Sequence, residues 1–253
     1  AHAGGGALET DFKHSGFRYF RLHRRLPFDP MLVSVLRNII KDKDINIVHT
    51  HQAVEALHAL AASFGTKTKV VLTHHGIVPD RKNLLATRFL IPRVAHNILV
   101  GNESKKNYER EFNFKFPPAT SVIYNGVDAQ RLKPSGADFR TELNLPNDAF
   151  LIGMIGNFYI ESRKDQATIC RALPKILKEL PNVYCVFAGK IVAGAEEKLE
   201  ECVRICAENN ISDKVHFLGG RADVPDILDA LDIFINSSLA EGLPIAVNEA
   251  MLA

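Results

Sequence analysis

Short apolar runs alternate with amphipathic stretches along most of the chain. Continuous apolar runs predict strands over 45–48, 70–73, 97–100, 121–124, 151–155, 183–187, 215–218 and 232–235. They lack the in-out alternation of half-exposed strands and suit parallel strands covered on both faces. Apolar positions recurring every three or four residues predict helices over 30–41, 53–64, 105–112, 166–180, 196–209 and 224–230. Strand, helix and strand in this rhythm specify βαβ units, hence an α/β fold with doubly wound sheets. The rhythm breaks over 125–147, where Pro134, Ser135, Gly136 and Pro146 gather. Two Rossmann-like domains are therefore expected, 1–135 and 136–253, with a cleft between them.

Composition narrows the function class. No apolar run reaches the about 18 residues of a membrane-spanning helix. The net charge of +2 conceals a split: residues 1–133 hold 20 Lys and Arg against 11 Asp and Glu, residues 134–253 only 11 against 18. Halves of +9 and −7 predict different partners for the two domains. The four cysteines form no CxxC pair, and Cys202 and Cys206 lie one turn apart on a predicted helix. Reduced thiols in a cytoplasmic protein are the expectation.

In open α/β sheets, ligands bind beyond the carboxyl ends of the strands. The loops expected there carry His49-Thr50-His51, His74-His75-Gly76, Asn125-Gly126-Val127-Asp128, Gly156-Asn157 followed by Arg163-Lys164, Ala188-Gly189-Lys190, and Asn236-Ser237-Ser238 leading to Glu241. After these comes Glu241-Gly242-Leu243-Pro244, with Glu249 eight positions beyond Glu241. Pro244 suits the first turn of a helix starting near Leu243. The amides of Gly242 and Leu243 would then face an anion such as a diphosphate, and Gly242 permits its close approach. Glu249, about two turns on, can accept hydrogen bonds from vicinal ribose hydroxyls. Glu241 would face the group beyond the diphosphate, and Arg163 and Lys164 supply cations.

These residues resemble the retaining glycosyltransferases of the GT-B fold in family 4. Glu241 to Glu249 is similar to that family's E-x7-E motif, and 232–238 resembles its "aDifv.PS" strand. Residues 122–128 resemble "viyNGVD", 73–76 "t.HG" and 48–51 "vvh.H", all in family order. The resemblance implies transfer of a sugar from a nucleotide-diphosphate donor to an acceptor hydroxyl in glycan, polysaccharide or glycolipid synthesis. It implies retention at the anomeric carbon, no metal and no cofactor besides the donor substrate. By position, Arg163 or Lys164 would hold the diphosphate, Glu249 the ribose and Glu241 the transferred sugar, with His75 near its hydroxyls. Gly156, Asn157, Gly189, Asn125, Gly242, Leu243 and Pro244 complete the expected donor-binding set.

The sequence departs from the family at Asn157, where an arginine is usual, which leaves the catalytic cation open between Arg163 and Lys164. The resemblance also implies that the first strand precedes Ala1 and that the second domain continues past Ala253, so a fragment is expected. Other readings remain beside it: a sugar-nucleotide epimerase, or a non-catalytic fragment that binds nucleotide sugar. His49, His51, His74 and His75 could ligate a metal, since imidazoles at i and i+2 point the same way on a strand. Gly4-Gly5-Gly6 has no strand before it and no GK[ST] after it, so it reads as a turn. The stretch 12–25 interleaves aromatics with cations, and 81–90 is amphipathic. Each reads either as a solvated face or as peripheral contact with an anionic membrane at the inner face of the cell membrane. Nucleic acid is not expected, because the pI of 8.3 is modest and no nucleic-acid motif is present.

Overall fold

The computed structural model describes residues 9–76, 80–161, 164–239 and 241–253. Gly4-Gly5-Gly6 and Arg163 lie outside the described residues. The chain divides into two compact units, Ala1–Tyr124 and Asn125–Ala253. The expected boundary at 135 thus falls inside the second unit. Turn-forming residues mark an irregular stretch but not the body it packs on. Here Asn125 Nδ2 donates to the Leu243 carbonyl at 3.2 Å, and the Ser135 amide donates to Asp226 Oδ1 at 2.6 Å. Both bonds attach 125–135 to the second unit.

The first unit runs α1 (Glu9–His14), α2 (Pro30–Asp42), β1 (Ile47–Thr50), α3 (Ala53–Ser63), β2 (Lys69–His74), α4 (Arg81–Leu90), β3 (His96–Leu99), α5 (Asn102–Phe112) and β4 (Thr120–Val122). Its strands pair in parallel in the order β1-β2-β3-β4. Ala56 and Ala59 of α3 are small enough to let that helix close on Val70 and Leu72 of β2, and Leu90 and Val94 complete the core. Strand β1 begins two residues later than the apolar run suggests. The Ile45 amide is used to close α2, bonding the Ile40 carbonyl at 2.9 Å, with Asp44 left-handed at φ 49°.

The second unit runs α6 (Phe139–Glu142), β5 (Phe150–Ile155), α7 (Gln166–Glu179), β6 (Val183–Ala188), α8 (Glu196–Glu208), β7 (Val215–Gly219), α9 (Val224–Ala230), β8 (Ile233–Phe234) and α10 (Ile245–Leu252). All pairings are parallel, in the order β7-β6-β5-β8. The four cysteines are free thiols buried in its core with Met154, Leu173 and Phe187. Gly153 sits mid-strand in β5, where a Cβ would come within 2.7 Å of both Leu231 and Val186 side-chain atoms. Strand β8 is short but firmly held. Asp232 Oδ2 accepts the Leu151 amide at 2.6 Å and the Arg140 guanidinium at 2.7 Å, and Arg140 also donates to the Ala149 and Ala230 carbonyls. Four helix starts share one device: Asp29, Asp80, Asp138 and Asp165 each cap a helix by accepting one or two of its first free amides. Such caps contribute about 1 kcal/mol apiece.

The strand order reverses at β5, which has β6 on one side and β8 on the other. In a doubly wound sheet the carboxyl ends flanking such a reversal open a crevice, and ligands settle there. The loops leaving β5 and β8 are those that begin with Gly156 and Ile235.

Candidate active site

At this reversal two distant stretches meet. Lys164 and Ser238 form an antiparallel bridge, and the Asp165 amide donates to the Ser237 carbonyl at 3.0 Å. The backbone thereby aims the Lys164 and Glu241 side chains at one another. Lys164 Nζ lies 2.5 Å from Glu241 Oε1 and 3.2 Å from Asn236 Oδ1. Ser238 Oγ donates to the same Glu241 oxygen at 2.8 Å. Only 12% of the Lys164 side chain and 27% of the Glu241 side chain remain exposed. An ammonium and a carboxylate are thus held together in a half-dry crevice, where their fields are stronger than on an open surface.

The loops beneath them leave little room for side chains. A Cβ on Gly156 would sit 3.3 Å from Lys164 Cε, so the lysine stem lies across this glycine. Gly189 supports the same loop: a Cβ there would fall 2.1 Å from the Gly156 carbonyl oxygen. Buried Gln166, at the start of α7, donates to the carbonyls of Gly156 and Asn157 at 3.2 and 3.4 Å. Asn157 Oδ1 accepts the Lys190 amide at 2.9 Å. Asn157 therefore fixes two loops to each other.

Helix α10 begins at Ile245 with Pro244 at its N-cap, not near Leu243 as the position of the proline suggested. Pro244 has ψ 116°, an extended value, so the helix turns in only after it. Glu249 then lies little more than one turn inside, rather than two. No side chain caps α10, and with the Val247 amide bonded to the Pro244 carbonyl at 3.2 Å, the amides of Ile245 and Ala246 are the ones that could face an anion. Asn125 holds this start from outside: it donates to the Leu243 carbonyl, and its own carbonyl accepts Asn248 Nδ2 at 3.2 Å. Gly242 and Leu243 lie on the half-buried loop between Glu241 and the helix. Burial pushes the Glu249 carboxyl above its usual range.

His75 belongs to the first unit, at the carboxyl edge of β2. Its Nε2 lies 2.9 Å from His51 Nδ1, and the His49 and His51 rings stand 4.4 Å apart. His49 Nε2 meets Thr73 Oγ1 at 2.7 Å. Burial, and then the nearby imidazoles, hold His51 and His75 below the usual histidine range. His74 is a packing residue: it is buried against Tyr108 and Phe116, with Nε2 3.0 Å from Asn97 Oδ1. Among the described residues, no group of three or more His, Cys, Asp or Glu side chains is arranged to hold a metal ion. The four-histidine ligand set raised from the sequence is therefore not formed.

Sequence reasoning placed Asn236 and Ser238 on a ligand-facing loop without giving them a role, and it missed Gln166 and Asn248. A signal existed for Ser238, three residues ahead of Glu241 in the "PS" position of the resemblance. Gln166 and Asn248 act through backbone contacts, which no spacing reveals.

A family model described as "Glycosyltransferase Family 4" matches residues 1–131, and one described as "Glycosyl transferases group 1" matches 149–253. An Escherichia coli protein named UDP-Gal:alpha-D-GlcNAc-diphosphoundecaprenol alpha-1,3-galactosyltransferase is 27% identical over 228 residues, covering 85% of this chain and 57% of its own length. A phosphatidylinositol N-acetylglucosaminyltransferase component from Arabidopsis thaliana is 26% identical over 243 residues, covering 92% of this chain and 51% of its own. This chain thus spans just over half the length of these relatives. The crystal structure of HepE from Anabaena in complex with UDP and glucose superimposes with a TM-score of 0.83 at 22% identity, over 98% of this chain and 69% of that one. The fold is GT-B, and the chain belongs to glycosyltransferase family 4.

Proposed function

We propose that the protein transfers a sugar from a nucleotide-diphosphate donor to an acceptor hydroxyl, with retention at the anomeric carbon and without a metal. The observation that carries this reading is the Lys164–Glu241 pair at the β5/β8 reversal, beside the open start of α10. As the sugar leaves, negative charge grows on the diphosphate. Lys164 and the first amides of α10 stabilise that charge, and they are fixed before the reaction begins. The Glu249 carboxylate accepts hydrogen bonds from the ribose hydroxyls. Glu241 holds Lys164 in place and faces the sugar. The acceptor hydroxyl passes its proton to the departing diphosphate as the new bond forms on the same face.

The names of the relatives point to a UDP-sugar donor and to a lipid-linked glycan or glycolipid acceptor. The test combines UDP-glucose, UDP-galactose or UDP-N-acetylglucosamine with a diphosphate-linked lipid acceptor, in the presence of a chelator. Acceptor-dependent UDP release with a retained anomeric configuration is expected. Inversion, or activity restored only by a divalent ion, would refute the mechanism. Turnover of the nucleotide sugar without an acceptor would refute transfer itself.

A further inference from the structure

Between Phe12 and Phe28 the chain carries five Lys and Arg and no Asp or Glu. Arg18, Arg21, Arg24 and Arg25 are exposed. So are large apolar side chains among them: Phe12, Phe17, Phe20, Leu26, Phe28 and, just beyond, Met31, with Phe17 83% exposed. The stretch is anchored, not trailing. Buried Asp29 accepts the Arg25 amide at 2.9 Å, its own amide donates to His58 Nε2 at 2.9 Å, and Phe28 stacks on the His58 ring at 5.0 Å. Phe12, Tyr19, Phe20, Leu22 and Arg24 also wall a cavity of about 530 Å³ against α2 and α3. The first unit therefore presents a fixed face of alternating cations and apolar side chains.

An acid-free run of arginines needs an anionic partner. Exposed Leu26 and Met31 need an apolar one, and they have no stacking role with nucleotide bases. A bilayer with anionic headgroups offers both chemistries at one depth. We propose that this face docks on an anionic lipid surface, with Arg18, Arg21 and Arg25 against phosphate-bearing headgroups and Phe17 and Leu26 in the layer beneath them. Helix α4, the other amphipathic stretch, is left out of this surface. Its Arg88 donates to the Phe112 carbonyl, and Arg93, three residues past the helix, donates to the Phe89 carbonyl and stacks on the Phe89 ring. Docking does not depend on the sugar-transfer reading, since none of its residues lies in the second unit.

The test is co-sedimentation of the 253-residue chain with vesicles of phosphatidylcholine, with or without one third phosphatidylserine, at low and high salt. Binding to the anionic vesicles at low salt is expected, with most of it lost at high salt because the attraction decays within about 8 Å at physiological ionic strength. Arg18→Ala with Arg21→Ala should weaken partitioning about 25-fold, at about fivefold per cation. Phe17→Ser should weaken it at least about threefold, since an exposed phenylalanine gains burial in the interface. Both variants alter exposed side chains, and unchanged thermal unfolding checks that they fold. Protein left in the supernatant at low salt overturns the proposal. So does equal binding to neutral vesicles, or binding that an RNA oligomer abolishes and Phe17→Ser leaves intact. A concentration-dependent dimer dispersed by Phe17→Ser would assign the face to a second copy of the chain instead.

Discussion

Glu241→Gln should make the protein bind UDP more tightly while lowering its turnover. Glu241 Oε1 sits 2.5 Å from the Lys164 ammonium and also accepts the Ser238 hydroxyl. Both side chains are mostly withdrawn from water, yet Glu241 keeps 27% of its exposure, so the pair is discounted below a fully buried one. Its interaction is then worth about 1–2 kcal/mol. A diphosphate reaching Lys164 must compete with that carboxylate and approach its negative charge. Glutamine keeps the shape and a neutral acceptor but removes the competition. The affinity gain should be about 5- to 30-fold, read by calorimetric titration of UDP into both proteins. The ligand-free variant should also unfold at lower urea concentration, because the lysine is left without its counter-charge, and saturating UDP should narrow that gap. Turnover should fall, because Lys164 loses the group that sets its position. If Glu241→Gln binds UDP equally or more weakly, the carboxylate does not compete for Lys164, and the pairing has no part in donor binding.

Other expectations follow from the same site. Lys164→Ala should lower kcat about a hundredfold and leave KM less affected, as for loss of a group that acts on growing charge; a loss confined to KM would make it a uniform binder. Glu249→Gln should weaken UDP binding about 10- to 100-fold, and unchanged affinity would remove Glu249 from the ribose site. Because burial raises the Glu249 pKa above 4.5, the folded state holds its proton longer than the unfolded chain does. The stability it contributes is greatest at low pH and declines as pH rises through 4.5 and the raised folded value, while UDP affinity rises over the same window. Glu249→Gln should flatten both profiles, which urea titrations and UDP titrations between about pH 4 and 7 would read. Gly189→Ala should destabilise the second unit by at least about 1–3 kcal/mol, because its methyl group would fall 2.1 Å from the Gly156 oxygen; an unchanged urea midpoint would show that the two loops can part freely.

Periodicity carried the fold further than the site. The continuous apolar runs located β5 and β6 to within a residue at each end, because strands buried on both faces leave no other pattern. Where a polar group did structural work, the pattern failed. α5 starts at Asn102 rather than 105, since Asn102, Glu103 and Ser104 begin the helix without an apolar periodicity. The start of α10 was misplaced by the extended Pro244. Within the site, Lys164 and Glu241 were visible as charges after strands, but their partnership was not. It depends on which strands are neighbours, and β8 lies next to β5 only through the return of the chain past β6 and β7. The aromatic-basic stretch was legible as composition, whereas its anchoring through Asp29 and His58 is a long-range contact that no local pattern encodes.

That return has a consequence for folding order. Strands β5, β6 and β7 are consecutive in sequence and pair as neighbours, so they can zip together as the chain emerges. Strand β8 must close a loop of about eighty residues to reach β5, and only Ile152↔Ile233 and Gly153↔Phe234 register the pairing. Long-range contacts of this kind form late, because their closure entropy is met by few local bonds. The Asp232 carboxylate, which accepts from Arg140 and the Leu151 amide, then helps to hold β8 once it has arrived. A released chain cut before Asp232 would carry the β7-β6-β5 sheet but lack the β5/β8 crevice. Nucleotide affinity should therefore appear only once β8 has docked on β5, after the amides of β5, β6 and β7 have gained most of their protection.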